Sequence, residues 1–408
     1  MTRASVIISC RAAFARFVLR RFIPLRTVAL VLQPATFIHR PDNDTYPPMK
    51  ISPSLPLWSI ASPILGWLVY AVNGLQPGGW FVALLVVGLM ASVLAAVYHA
   101  EVVAHKVGEP FGTLVLALAV TLIEVALIVS LMLAGGEATT GLARDTVFAA
   151  IMIILNGIVG ICLLVGASQH REQSFGQHGV SASLATLAAI AVLTLVLPNY
   201  TLTKIGPYYS ASQLAFIAVI SLVLYGTFVL VQTVRHRDYF LPPNAAGDAE
   251  AHAEPPSNKV AIFAAVLLLA CLGAVVLLAK ALAPTLEAGL DNLGAPKSVV
   301  GIIIAAIVLL PEGLAAVRAA RANRLQTSLN LAIGSALASI GLTIPAVAVV
   351  SLATGWTLSL GLDVKSTVLL MLSFIVAGFS LSTGRTTVMQ GMVHLVIFAV
   401  YLFTTIVP

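Results

Sequence analysis

From Leu55 onward the chain alternates long apolar runs with short polar stretches. The runs lie near residues 55–73, 80–104, 112–134, 146–168, 180–198, 210–234, 260–283, 297–317, 327–353, 366–383 and 387–407. At roughly 20 residues each they predict about eleven transmembrane helices, and so an all-α polytopic membrane protein. With the first helix set aside, spans two to six and seven to eleven form two blocks of five. An odd number per block makes the second block enter the membrane from the opposite side, the inverted-repeat arrangement of many secondary transporters. The expected organisation is a basic, disordered extension over 1–48, a first transmembrane helix within 49–78, a first five-helix repeat over 79–236, a solvated cytoplasmic linker over 237–258 and a second repeat over 259–408.

The third and eighth spans carry the same pattern. Residues 112–133 read GTLVLALAVTLIEVALIVSLML and residues 299–317 read VVGIIIAAIVLLPEGLAAV. Each has an apolar approach, one carboxylate and an apolar exit. Aligning Glu124 on Glu312 matches small and branched residues over about a dozen preceding positions, as copies of one element would. An acid placed singly in lipid costs roughly 2.5–3.5 kcal/mol on insertion scales, so two at matching depth are expected to serve ion or proton movement.

Composition agrees with this picture. The 408 residues are 59% hydrophobic and 9% charged, with a mean hydropathy of +1.00, far from the quarter or so of charged residues in soluble domains. The isoelectric point near 9.3 does not point to nucleic acid, because the basic residues sit between spans rather than in a patch with interleaved aromatics. They read as topology signals. With the N-terminus inside, Lys106, Arg171, Arg235, Arg237, Lys259, Arg318, Arg321, Arg324 and Arg385 are cytoplasmic, against Arg144, Lys204, Lys280, Lys297 and Lys365 outside, which favours a cytoplasmic N-terminus and an external C-terminus. Residues 1–48 carry seven arginines and no uninterrupted apolar core, so they are not a signal peptide. They read as an extension, with Met49 as the working initiator. Cys10, Cys162 and Cys271 are scattered and indicate neither a disulfide framework nor a metal cluster.

The candidate chemistry gathers around the two acids. Pro311 has no N–H, so the helix is expected to break or kink at Pro311 and Gly313, freeing the Ile307 carbonyl one turn before Glu312. A free carbonyl beside a carboxylate suits a hard cation. In the first copy Thr121 stands one turn before Glu124, where its hydroxyl can supply oxygen or back-bond within the helix. The following spans add Asn156, Gly157 and Gly160, and Asn330, Gly334, Ser335, Ser339 and Thr343, at helical spacing. Helix packing accounts for most of the glycines, while Asn156 and Ser339 are candidate supporting ligands. His99, Glu101, His105 and Glu109 cluster near one end of the second span. Their spacing is not that of a zinc peptidase, and Glu101, His105 and Glu109 are candidates for a vestibule leading to Glu124. His394 reads as a packed or interfacial histidine.

Residues 108–113 (GEPFGT) running into 121–124 (TLIE), with 309–313 (LLPEG) and 334–345 (GSALASIGLTIP), closely resemble the bacterial ChaA-type calcium/proton antiporters of the cation/calcium exchanger superfamily. The resemblance covers nearly everything from Leu57 onward. It implies an eleven-helix fold with two inverted five-helix repeats, cation-binding acids at Glu124 and Glu312, and supporting polar residues at Asn156, Ser335 and Ser339. The expectation is a bacterial inner-membrane secondary transporter without cofactors, exporting Ca2+ in exchange for H+. Na+ or K+ exchange for H+ is the alternative on the same scaffold. A membrane-embedded carboxylate hydrolase and a passive cation channel are the alternatives from other classes. The linker is less acidic than in some relatives, which bears on regulation more than on transport.

Overall fold

In an apolar solvent every backbone N–H and C=O must find its partner within the protein, so uninterrupted runs of Leu, Val, Ile and Ala fold as helices. The computed structural model describes residues 55–74, 80–108, 111–135, 139–241, 255–293, 296 and 298–407. The basic extension, Glu109 and most of the linker lie outside the described residues. The described helices are α1 (Leu57–Asn73), α2 (Phe81–Val107), α3 (Phe111–Gly135), α4 (Leu142–His170), α5 (Gln177–Tyr200) and α6 (Ala211–Arg235). They continue with α7 (Asn258–Leu293), α8 (Ser298–Arg321), α9 (Leu325–Thr354), α10 (Val364–Leu381) and α11 (Val388–Ile406). Nine of these eleven are long and apolar enough to cross a membrane; α1 and the described stretch Leu118–Met132 of α3 are shorter. The protein is thus an all-helical, multi-pass membrane protein.

The interior holds large apolar side chains such as Ile128, Leu155 and Leu187 together with buried polar residues such as Asn156 and Thr194, while other large apolar side chains such as Leu65, Phe216, Val219, Ile262 and Phe379 point outward, as lipid contact demands. Glycines let backbones approach where helices cross. A Cβ on Gly391 of α11 would stand 2.6 Å from the Leu164 nitrogen of α4, and one on Gly301 of α8 would stand 2.8 Å from the Asp145 carbonyl carbon. α2 and α7 pack along each other, with α1 laid against both. Pro63 of α1 cannot donate to the Ser59 carbonyl, and His99 of α2 takes that role at 3.0 Å. Trp67 of α1 donates to the Ala270 carbonyl of α7 at 3.0 Å.

Connectors pair at both ends of α5. Between α4 and α5, β1 (Gln173–Ser174) joins antiparallel to β2 (Arg385–Thr386) between α10 and α11. At the other end of α5, Tyr208 of the α5–α6 connector bridges to Ser359 of the α9–α10 connector. Exchanging the two five-helix blocks exchanges these two pairings.

One expectation changes. The helix does not break at Pro311: α8 runs unbroken from Ser298 to Arg321 with the proline inside it. Gly313 serves close packing, since a Cβ there would meet Ile158 Cδ1 at 3.1 Å. At the start of the linker the chain is exposed over residues 237–239 and tucks in at Phe240. Arg237–Tyr239 forms a 3-10 turn, Phe240 is buried, and its carbonyl accepts from Asn330 Nδ2 at 2.6 Å.

Candidate functional site

Glu124 lies midway along α3, on a face turned into the bundle, and is 3% exposed. Ser339 of α9, one span beyond the other glutamate, places its hydroxyl 2.7 Å from both carboxylate oxygens. One hydroxyl has one proton to give, so it serves the two oxygens as alternatives. Thr343, one helical turn further along α9, approaches the same carboxylate without meeting hydrogen-bond geometry. Thr121 is buried on α3.

Glu312 sits on α8 among residues of α4. Its carboxylate turns back toward its own backbone N–H and lies within electrostatic range of Glu124 and of Glu101. Oxygen Oε2 is buried and has no hydrogen-bond partner. A buried carboxylate oxygen without a donor is costly, and a cation or a proton would relieve it. Each glutamate helix therefore packs on the helix that follows the other glutamate, α3 on α9 and α8 on α4. The interlocking of the blocks brings Glu312 within electrostatic range of Glu124.

Glu101 is solvent-exposed on α2 and lies within electrostatic range of Arg318 as well as of Glu312. Arg318 and Arg321 lie in the last turn of α8. His105 is half-buried on the same face one turn on. His99, from the same sequence cluster, is fully buried and committed to the Ser59 carbonyl.

The polar stripe on α9 is divided. Ser339 and Thr343 face Glu124, Ser335 is half-buried, and Asn330 with Gln326 anchors the α6 end and the α4–α5 connector through Phe240 and Gly176. Asn156 is held by partners on α10 and α11. Its amide bonds to Ser373 of α10 at 2.8 Å and to His394 of α11 at 3.3 Å. Helical spacing within α4 carries no information about which neighbour each face meets, so these partners were not legible in the sequence. Ile307 is half-buried within the unbroken α8.

The two interlocked halves each turn one carboxylate inward, and the match to an exchanger family classes the chain as a secondary transporter rather than an enzyme. The chain belongs to the sodium/calcium exchanger protein family, whose profile matches twice, over residues 78–234 and 263–407. Among relatives, the candidate ionic transporter y4hA of Sinorhizobium fredii is 48% identical over 361 residues, 88% of this chain and 98% of its own. The sodium-potassium/proton antiporter ChaA of Escherichia coli is 37% identical over 323 residues, 79% of this chain and 87% of its own. The solved Ca2+/H+ antiporter YfkE shares the fold, with a TM-score of 0.64 at 19% identity over 86% of this chain and 100% of that one.

Proposed function

We propose that the protein exchanges cations for protons across the bacterial inner membrane, using Glu124 and Glu312 as the shared site. The observation that carries this reading is that acids from opposite blocks lie within electrostatic range of each other, one held by Ser339 and the other with a buried oxygen left open. Two carboxylates with hydroxyl oxygens neutralise and coordinate a hard cation. When the cation leaves, two unpaired negative charges in low dielectric are strongly disfavoured, and protons replace it. Exchange follows if only the cation-loaded and protonated states reorient.

The exchanged connector pairing and the doubled family match support two inverted five-helix repeats, with α1 outside them. The charge count supports a cytoplasmic N-terminus. Glu101 and His105 form the vestibule on that side.

For the cation we place Na+ and K+ first, because the sodium-potassium/proton antiporter is 37% identical over 79% of the chain, whereas the similarity to the Ca2+/H+ antiporter YfkE is one of fold. This reverses the order suggested by motif resemblance. Ca2+ stays as the second reading, favoured by the double negative charge of the site.

The test is dissipation of a preset pH gradient in proteoliposomes on addition of Na+, K+ or Ca2+. Glu124→Gln and Glu312→Gln keep size and hydrogen bonding but remove charge, so each is expected to abolish exchange while the protein stays folded. Apparent cation affinity of the parent protein rises with pH, because the ligands must be deprotonated. Near-normal exchange by Glu312→Gln would sink the proposal, and so would a cation affinity that is the same in acid and alkaline buffer. Collapse by Ca2+ alone overturns the ion order and leaves the site.

A further inference from the structure

The turn of α4 at Ile153–Ile158 is a π-helical turn, wider by one residue than the helix around it, with the Val159 N–H closing on the Ile154 carbonyl. Such turns are rare and need support from their surroundings. Here the support is a polar cluster, fully buried in the bundle, formed by Asn156, Ser373 and His394. Ser373 Oγ lies 2.7 Å from the Leu369 carbonyl, which takes the only hydroxyl proton. Asn156 must then turn its NH2 to Ser373 Oγ, at 2.8 Å, and its carbonyl oxygen to His394 Nδ1, at 3.3 Å. The network thereby assigns the imidazole proton to Nδ1. Nε2 is buried without a partner in hydrogen-bond geometry, so within this network the ring bonds through Nδ1, with the Leu155 backbone also near the ring.

The other face of the same turn meets the glutamate helix. Ile158, two residues beyond Asn156 and so on the opposite side of α4, packs where Gly313 leaves room, with Cδ1 3.1 Å from the position of an added Cβ. Gly313 is the residue after Glu312. On the α11 side the fit is equally close: a Cβ on Gly160 would meet His394 Cβ at 3.0 Å, and one on Gly157 would meet the Phe398 ring at 3.4 Å. The turn is held between α10 and α11 on one face and α8 on the other.

We propose that Asn156, Ser373 and His394 are positioning residues that fix the widened turn of α4, and through Ile158 and Gly313 the placement of Glu312, setting cation affinity without touching the ion. The proposal rests on the reading of Glu312 as an exchange site, and the test separates the two. The affected quantity is apparent cation affinity and its pH dependence, while maximal rate changes less, because the carboxylates themselves remain.

The test compares His394→Asn with His394→Gln in proteoliposomes, titrating Na+, K+ and Ca2+ at several pH values, alongside Asn156→Ala and Glu312→Gln. An asparagine amide can occupy the place of Nδ1 and donate to Asn156, whereas a glutamine amide mimics Nε2. His394→Asn is expected to stay near the parent, and His394→Gln and Asn156→Ala to weaken cation affinity by about fivefold, the loss of one buried hydrogen bond. Both weakened variants shift the pH midpoint of exchange. A His394→Gln protein that matches or exceeds His394→Asn overturns the proposal, because Nε2 would then be the working atom. Loss of folded protein to the same extent in both histidine variants also overturns it, by assigning the cluster to folding alone. If Glu312→Gln abolishes exchange while both histidine variants and Asn156→Ala behave as the parent, only this inference fails. If Glu312→Gln still exchanges, the site reading itself fails.

Discussion

Ser339→Ala tests the Glu124 half of the site most directly. The Ser339 hydroxyl lies 2.7 Å from both oxygens of a buried carboxylate, and the hydroxyl of Thr343 approaches without bonding. A hydrogen bond to a charged group contributes about 1.5–3 kcal/mol. Two short distances share one proton, so the contribution counts once. Removing it disfavours the ionised carboxylate that a cation requires and leaves the protonated form less affected. At a fixed pH the cation concentration for half-maximal exchange should therefore rise roughly 10- to 100-fold, since each 1.4 kcal/mol is about a factor of ten. Thr343 can swing toward the vacated position, which places the expected result near tenfold. Raising the pH should recover much of the loss, because it removes the competing proton. Ser339→Thr keeps the hydroxyl and should stay within about twofold of the parent. The assay is gradient collapse in proteoliposomes with matched protein content, titrated with cation at acid and alkaline pH. A Ser339→Ala protein whose half-maximal concentration stays within twofold of the parent at every pH would show that this bond is not used when the cation binds.

Three further outcomes check the framework. Gly391→Ala puts a methyl 2.6 Å from the Leu164 backbone nitrogen, whereas the same change at Gly378 meets nothing within 4 Å; detergent-solubilised Gly391→Ala should melt well below the parent and Gly378→Ala alongside it, and equal melting would refute the close α4–α11 packing. His99→Leu orphans the Ser59 carbonyl and should destabilise by about 1–3 kcal/mol, but Pro63→Ala supplies a backbone donor to that carbonyl, so His99→Leu should cost less in the Pro63→Ala background; additive losses would show that the histidine does not serve Ser59. Single cysteines near Arg321 and near Asp363, with Cys10, Cys162 and Cys271 replaced, should react with an impermeant reagent from opposite sides of the membrane, and same-side labelling would remove the inverted repeat.

Eleven helices were legible in the sequence because lipid leaves an apolar run of about 20 residues no other way to satisfy its backbone. The two glutamates were legible for the same reason, as charges whose burial cost needs a use. Proline chemistry was legible only in part. Pro311 removes one bond with certainty, yet whether the helix breaks depends on its neighbours, and the close seat of Ile158 on Gly313 accompanies an unbroken α8.

Partners across helices were decided by the tertiary structure alone. Spacing along α9 grouped Asn330, Ser335, Ser339 and Thr343 on one polar face, but Ser339 reaches the glutamate of the other block while Asn330 closes on Phe240. Spacing along α4 made Asn156 look like the counterpart of a ligand, and it is held by Ser373 and His394. The π-helical turn that turns it there has no signature in the order of residues. A helix period fixes which residues share a face, and it contains nothing about what that face will meet. That is settled when two interlocked blocks pack, because the energy of a buried hydrogen bond depends on a partner more than a hundred residues away.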